Sequence, residues 1–187
     1  MKQIGIMSQC DNSKMRKEIL SIITDKNLDQ EKEKAKINVL FLDYDGVVNT
    51  PMWNEDGTHC SFATRVVNNF QACQWVSEFC KKYDFKIVVT STWRVSDDYK
   101  EALYKGGLRQ SIEVIDRTPV LRRQRGEEIQ DWLDKHPEVE KFIIVDDDSD
   151  MCHLMNHLLK TDCYVGFTMR SFEEAEALYK KLYERQN

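Results

Sequence analysis

The sequence lacks the features that mark membrane-embedded, secreted and disulfide-stabilised proteins. No apolar run approaches the roughly 20 residues that a membrane-spanning helix needs. The N-terminal residues turn polar too soon for the apolar core of a signal peptide. The 6 cysteines form no CxxC pair and no regular framework. We therefore expect reduced thiols in a cytoplasmic compartment, with neither disulfides nor a structural zinc site.

An overall excess of positive charge is also missing. The formal net charge is −5, so the composition gives no general signature of nucleic-acid binding, although a local basic patch remains compatible with it. Charged residues make up 32% and hydrophobic residues 41% of 187 residues. This composition predicts a soluble globular chain that is long enough to bury a core as one domain of ordinary size.

The first part of the chain is expected to be an extension without chemistry of its own. Apolar residues recur at helical spacing between Lys14 and Ile23, and a charge run typical of a solvated helix or linker follows over 25–36. We interpret residues 1–36 as an N-terminal helical extension and residues 37–187 as the domain.

The most informative stretch is NVLFLDYDGVVNT, residues 38–50. Four apolar residues end in Asp43, Asp45 and Gly46, a pattern that predicts a buried parallel strand opening into a turn. In an extended chain, residues two apart project to the same side, and two carboxylates placed so repel unless a cation or a shared proton relieves them. A strand followed by an ordinary Asp-Gly turn is the simpler alternative.

Strands and helices alternate along the rest of the chain. This order predicts an α/β protein, a Rossmann-like three-layer sandwich with a five-stranded parallel sheet. The strands are predicted at residues 39–42, 85–90, 112–115, 141–145 and 164–167. The helices are predicted over 63–82, 98–104, 127–133 and 151–159, with a last helix capped by Ser171 and running to about Tyr183.

Polar groups follow three of these strands, where right-handed crossovers bring all carboxyl ends to one rim of the sheet. Two aspartates follow the first strand, Thr90 and Ser91 end the second, and an acidic run over 146–150 follows the fourth. Carboxylates from two strands suit Mg²⁺, while hydroxyls and an arginine from the basic segment 121–125 suit phosphate oxygens. Together they indicate phosphoryl transfer. The acidic run alone would also fit a solvated helix cap.

At this point the sequence resembles the phosphatase branch of the haloacid dehalogenase superfamily. DYDGVV resembles its DxDG signature, VVTS its second motif, and IIVDDDSD its acidic fourth motif, in the same order along the chain. In detail, FLDYDGVVNT, TSTWR, RGEEI and VDDDSD are similar to capless members associated with nucleic-acid end repair.

The resemblance implies a role for each matching residue. Asp43 would be the nucleophile that forms an aspartyl-phosphate, and Asp45 the general acid and then the general base. Mg²⁺ would be held by the Asp43 carboxylate, the Asp45 backbone carbonyl and Asp146. Asp147 completes a double-aspartate version of the last motif, whereas Asp150 would complete a version spaced by three residues.

The phosphate ligands follow in the same way. Thr90 would bond a phosphoryl oxygen, with Ser91 as the alternative holder of that role. A basic residue would neutralise the phosphoryl charge, and Arg125 is favoured for it over Arg122 and Arg123.

The substrate is inferred from what is missing. The intervals after the first and second motifs are too short for the large cap domain that encloses small metabolites, so an open site is expected. Such a site admits a polynucleotide end or a phosphoprotein, with Trp53, Trp93, Arg94 and the segment 121–125 lining the approach.

Other functions remain open at this stage. A small-metabolite or nucleotide phosphatase, or a phosphotransferase of the same fold, would use the same motifs. A non-catalytic phosphate-binding module and a receiver-like signalling domain are further alternatives, the last disfavoured by the DxDG arrangement.

Overall fold

The structure is a computed structural model in which residues 35–51 and 66–184 are described. Its strands are β1 Ile37–Leu42, β2 Asn49–Pro51, β3 Val66–Asn68, β4 Phe85–Val89, β5 Val114–Arg117, β6 Val139–Asp146 and β7 Leu158–Lys160. Its α-helices are α1 Phe70–Tyr83, α2 Tyr99–Gly106, α3 Arg125–Leu133 and α4 Met169–Tyr183, and short 3-10 helices cover Thr92–Val95 and Cys152–His157. No helix in these ranges is long and apolar enough to cross a membrane.

Five of the strands form one sheet in the order β5-β4-β1-β6-β7, and every neighbouring pair is parallel. The first strand in sequence is therefore the central one. Its last residue, Leu42, is in register with Val89 on one side and Val145 on the other. The carboxyl ends of β1, β4 and β6 consequently stand level, and the polar residues that follow them face one rim.

The two faces of β1 belong to two separate cores because successive side chains alternate across a strand. Leu40 and Leu42 pack in a core that also contains residues of α1, α2 and α4. Val39 and Phe41 pack on the other face with α3 and the 3-10 helix Cys152–His157. This arrangement confirms the predicted three-layer α/β sandwich with a five-stranded parallel sheet.

The fifth strand of that sheet is not the predicted one. Residues 164–167 form a turn, closed by bonds of 3.0 and 2.8 Å from the amides of Val165 and Gly166 to the carbonyl of Asp162. The predicted helix over 151–159 is instead a 3-10 helix that ends at His157, and Leu158–Lys160 pairs with β6. The error arose because a two-leucine strand this short does not differ in periodicity from the end of a helix.

Two helix starts also differ from the sequence-based expectation. α1 begins at Phe70, where the Asn69 side chain accepts a bond from the Ala72 amide, so the expected start at residue 63 was wrong. Residues 66–68 pair with β2 as an antiparallel strand. α4 is capped by Thr168, and Ser171 is the reciprocal member of its capping box rather than the cap.

Part of the predicted organisation lies outside the described residues. This concerns almost all of the N-terminal extension 1–36 and most of the loop after β2, including Trp53. The division into an extension and a domain therefore stays a prediction.

Candidate active site

A tight loop directly after β1 presents the two aspartates. The Asp43 amide still bonds the Val145 carbonyl, at 3.1 Å, as if β1 continued by one residue. The Tyr44 carbonyl then accepts bonds from the amides of Val47, Val48 and Asn49, at 3.1, 2.9 and 2.7 Å. The chain thus turns within a few residues of the strand end, and Asp43 is fixed at the centre of the rim.

Gly46 allows this loop to approach the loop that follows β6. Its φ is +80°, in the left-handed region that favours glycine, and a Cβ at this position would lie 2.4 Å from Cγ of Asp147. Any larger residue would push the Asp147 carboxylate away. The glycine of the DxDG pattern is therefore required by both the turn and the packing of the site.

Three carboxylates meet where β1 and β6 end. One oxygen from each of Asp43, Asp146 and Asp147 lies within 4.8 Å of the others. Asp43 and Asp146 are buried and Asp147 is half-buried. Hard oxygen ligands brought this close form a donor set that fits a divalent cation such as Mg²⁺.

Burial raises the pKa of all three carboxyl groups. The pKa of Asp146 is raised to about 7 by desolvation and then by the negative charge of Asp43, while Arg125 acts in the opposite direction. The Arg125 charge and a hydrogen bond from Ser91 likewise oppose the effect of burial on the pKa of Asp43. A cation would relieve the repulsion within this group.

Arg125 lies between two of these carboxylates. Its Nη1 is 2.7 Å from Oδ1 of Asp43 and 2.5 Å from Oδ2 of Asp146. Both acidic partners raise the pKa of the guanidinium, against the lowering effect of burial. Arg122 and Arg123 are exposed. Of the three arginines considered from the sequence, Arg125 is the one that the structure places against the carboxylates.

The start of α3 fixes that position, and Asp150 is part of it. The Arg125 amide donates to Oδ2 of Asp150 at 3.0 Å, and the Gly126 amide donates to its carbonyl at 3.1 Å. A Cβ on Gly126 would lie 2.2 Å from the carbonyl oxygen of Met151. Asp150 therefore anchors the helix that carries Arg125, whereas Asp147 joins the carboxylate group.

The hydroxyl residues after β4 border the same site. The Thr90 amide bonds the Leu42 carbonyl at 3.0 Å, which places this residue beside the end of β1. Thr90 is buried, and within the described part of the chain its Oγ1 has no hydrogen-bond partner. Ser91 is also buried, and it lies close enough to Asp43 to oppose the rise in the pKa of that carboxyl group. An unpaired buried hydroxyl is costly, so a ligand oxygen that accepts from Thr90 Oγ1 would satisfy it.

Asp45 stands apart from the three-carboxylate group. Trp93 Nε1 lies 3.2 and 3.1 Å from its two carboxylate oxygens. Asn49 Nδ2 donates to Oδ1 at 3.0 Å. The sequence pattern predicted Trp93 on the approach to the site but neither of these contacts; the signal available was the TSTWR motif directly after β4.

Arg94 is buried, unlike a residue that lines an approach. Its Nη1 donates to the carbonyl oxygens of Thr90 and Ser91, the latter at 3.0 Å. Its Nη2 forms an ion pair with Glu128 of α3. The expected contact of Arg94 with substrate stays a prediction. Its observed partners show that it connects the segment after β4 to α3. Glu128 was not singled out in the sequence.

Comparison with known families agrees with this geometry. The chain matches the family described as the HAD domain in Swiss Army Knife RNA repair proteins over residues 39–172, which is more than half of its length. A comparison with curated proteins returns no match. The matched range runs from within β1 into α4, so it includes part of β1, the other four strands of the five-stranded sheet and all the site residues described above. The chain therefore belongs to the HAD domain family of Swiss Army Knife RNA repair proteins.

Proposed function

We propose that this protein is a Mg²⁺-dependent phosphomonoesterase that removes a terminal phosphate from a polynucleotide, through an aspartyl-phosphate intermediate. The observation that carries the proposal is the meeting of Asp43, Asp146, Asp147 and Arg125 at the carboxyl end of the central strand. Carboxylates for a cation, a guanidinium for phosphate and a buried nucleophile are the parts that phosphoryl transfer requires.

In the first step, an oxygen of Asp43 attacks the phosphorus atom while the bond from phosphorus to the ester oxygen breaks. Asp45 gives a proton to that leaving oxygen, which departs as a free hydroxyl group. In the second step, Asp45 takes a proton from a water molecule that attacks the aspartyl-phosphate. Inorganic phosphate leaves, and Asp43 and Asp45 return to their starting states.

The charge around Asp43 suits this role. A carboxylate must be ionised to attack, and burial alone works against ionisation. Arg125 and Ser91 oppose that effect. Arg125 also faces the position of the transferred phosphoryl group, and Thr90 Oγ1 is available for one of its oxygens.

The cation would be held by Asp43, Asp146 and Asp147, together with the backbone carbonyl of Asp45. When bound, Mg²⁺ supplies positive charge that stabilises the phosphoryl oxygens in the transition state.

The proposed substrate follows from the short interval between β4 and β5 and from the family. Between β4 and β5 the chain forms only the 3-10 helix Thr92–Val95, α2 and short connections. No cap domain covers the site from this interval, which favours a large substrate. The family's association with RNA repair supports an RNA end over a phosphoprotein. A small-metabolite phosphatase or phosphotransferase is the second candidate, and a non-catalytic phosphate-binding module is the third.

A panel of substrates separates these candidates. It contains oligoribonucleotides with a 3′- or a 5′-phosphate, a phosphopeptide, sugar phosphates and 4-nitrophenyl phosphate, each assayed with Mg²⁺ and with EDTA. The proposal predicts the highest kcat/KM on one of the RNA ends and no turnover in EDTA. Highest activity on a sugar phosphate would favour the second candidate, and binding without turnover the third.

Asp43→Asn tests the mechanism. We expect this variant to lose at least about 1,000-fold in kcat, because the amide cannot form the covalent intermediate. The matched control is Asp148→Asn, a change of the same kind at an exposed position in the neighbouring loop, which should keep wild-type activity. Wild-type turnover by the Asp43 variant would refute the assignment of the nucleophile.

A further inference from the structure

The carboxylate of Asp45 is held by two neutral donors from different elements. The indole Nε1 of Trp93 reaches both of its oxygens, at 3.2 and 3.1 Å. The amide nitrogen of Asn49, at the start of β2, reaches Oδ1 at 3.0 Å. The Asp45 backbone also bridges to Asn49. A short acidic side chain on a loop is thus restricted to one orientation.

Trp93 is itself fixed in place. It lies in the 3-10 helix that follows β4, where the Ser91 carbonyl accepts a bond of 3.0 Å from the Arg94 amide. Its ring packs on buried Tyr44, with ring centroids 5.8 Å apart. The Tyr44 hydroxyl donates to the Tyr99 carbonyl at 2.5 Å. The indole therefore rests on a fixed aromatic ring from the loop that carries Asp43 and Asp45.

We infer that Trp93 is a positioning residue that holds the Asp45 carboxyl group for proton delivery to the leaving oxygen. The inference rests on the proposed function. Because Nε1 faces both carboxylate oxygens, it restricts rotation of the side chain more than a single contact would. Since 37% of Trp93 is exposed, solvent reaches the indole where it holds Asp45, and this accessible side is where the inference places the departing hydroxyl group.

This role has a consequence for specificity. A phenol with electron-withdrawing substituents leaves as a stable anion and gains little from a proton donor, whereas a sugar hydroxyl is a poor leaving group and depends on one. A residue that holds Asp45 in place therefore favours phosphate esters of sugar hydroxyls, the esters found at polynucleotide ends.

The first test measures how kcat/KM depends on the leaving group for wild type, Trp93→Phe and Asp45→Asn. Phenylalanine keeps an aromatic ring on Tyr44 but cannot donate a hydrogen bond. With a series of substituted phenyl phosphates and one alkyl phosphate, Trp93→Phe should change kcat/KM by less than about threefold for 4-nitrophenyl phosphate. It should lower kcat/KM by about 10- to 100-fold for the alkyl ester. The dependence of kcat/KM on the leaving group should be steeper in Trp93→Phe than in wild type and should approach that of Asp45→Asn.

The matched control is Trp75→Phe. Trp75 lies in α1, where its ring packs against Phe172 with centroids 5.8 Å apart, and this variant should follow the wild-type dependence. If Trp93→Phe lowers kcat/KM by the same factor for all substrates, or for none of them, the indole has only a packing role and the inference is wrong.

A second measurement does not require turnover. The indole N–H resonance of Trp93 in a ¹H–¹⁵N spectrum is identified by its loss in Trp93→Phe, and it should shift in Asp45→Ala while that of Trp75 does not. An unshifted Trp93 resonance would overturn the inference. If Asp43→Asn and the EDTA-treated wild type both keep their activity while the Trp93 resonance does shift, the proposed function is refuted and the contact between Trp93 and Asp45 stands.

Discussion

At the scale of single residues, the site is defined by carboxyl groups whose pKa the fold raises. The pKa of Asp146 is about 7 because the group is buried beside Asp43. In the unfolded chain its pKa would be near 3.8. Between these two pH values the native state keeps a proton on Asp146 that the unfolded state releases. The free energy of unfolding therefore falls as the pH rises through this range.

A divalent cation held by these carboxylates would compete with that proton, which gives a pH-dependent prediction. We expect Mg²⁺ to raise Tm by more at about pH 8 than at about pH 5.5, because Asp146 is ionised only at the higher value. Thermal unfolding with Mg²⁺ and with EDTA at both pH values measures the difference. Asp146→Asn should lose most of the Mg²⁺-induced rise in Tm at both pH values, and Asp148→Asn should keep the wild-type rise. An equal Mg²⁺ shift at both pH values would contradict the prediction.

The sequence located these residues only to within a few positions. It placed Asp43 and Asp146 at strand ends because the apolar runs before them are unambiguous. It left Arg125 in competition with Arg122 and Arg123, since that choice depends on where α3 begins. It left Asp147 in competition with Asp150, since that choice depends on the contact between Gly46 and the loop after β6. Both choices depend on contacts between segments that are distant in the sequence: the bonds from the Arg125 and Gly126 amides to Asp150, and the approach of Gly46 to Asp147.

At the scale of elements, the 3-10 helix after β4 is tied to α3 by a buried ion pair. Arg94 and Glu128 are both buried, and the second Glu128 oxygen accepts a bond of 2.7 Å from the Leu121 amide. α3 also carries Arg125, so the pair connects the segment that holds Thr90 and Ser91 to the helix that holds the guanidinium of the site. Local periodicity gives no sign of such a connection, and the sequence pattern predicted Arg94 on the approach to the site.

Removal of one partner should be more harmful than removal of the charge of both. We expect Arg94→Met to lower the free energy of unfolding by about 3–5 kcal/mol, because it leaves Glu128 charged and unpaired inside the protein. The double variant Arg94→Met/Glu128→Gln should recover part of that loss. Urea unfolding measures both.

The control for this comparison is an exposed ion pair. Lys105 and Glu101 are 3.1 Å apart and exposed, so Lys105→Met should leave the free energy of unfolding nearly unchanged. A double variant less stable than Arg94→Met alone would contradict the prediction.

At the scale of the whole molecule, the alternation of strands and helices was sufficient to predict the layers and the parallel sheet. Errors were confined to short elements and to the starts of helices. A strand of three residues such as β7 or β3 contributes too little pattern to be recognised, and it forms because a neighbouring strand supplies its hydrogen-bond partners. The placement of polar groups on one rim was predictable because it follows from topology rather than from any single contact.

The predicted separation of the N-terminal extension has a direct test at this scale. All strands of the five-stranded sheet and all the site residues lie after residue 36. We expect a chain that begins at residue 35 to retain its cooperative unfolding and its kcat/KM on the preferred substrate of the panel. Loss of the circular dichroism of the folded chain would show that the extension is part of the domain.

The central place of β1 in the sheet also bears on how the protein is made. β1 leaves the ribosome before either of its neighbours, and its second neighbour, β6, follows about a hundred residues later. During that interval the apolar strand Ile37–Leu42 has an open edge to which another nascent chain could pair. Asp43 therefore reaches its folded surroundings only when translation has passed β6, and ribosome stalling before that point should promote aggregation.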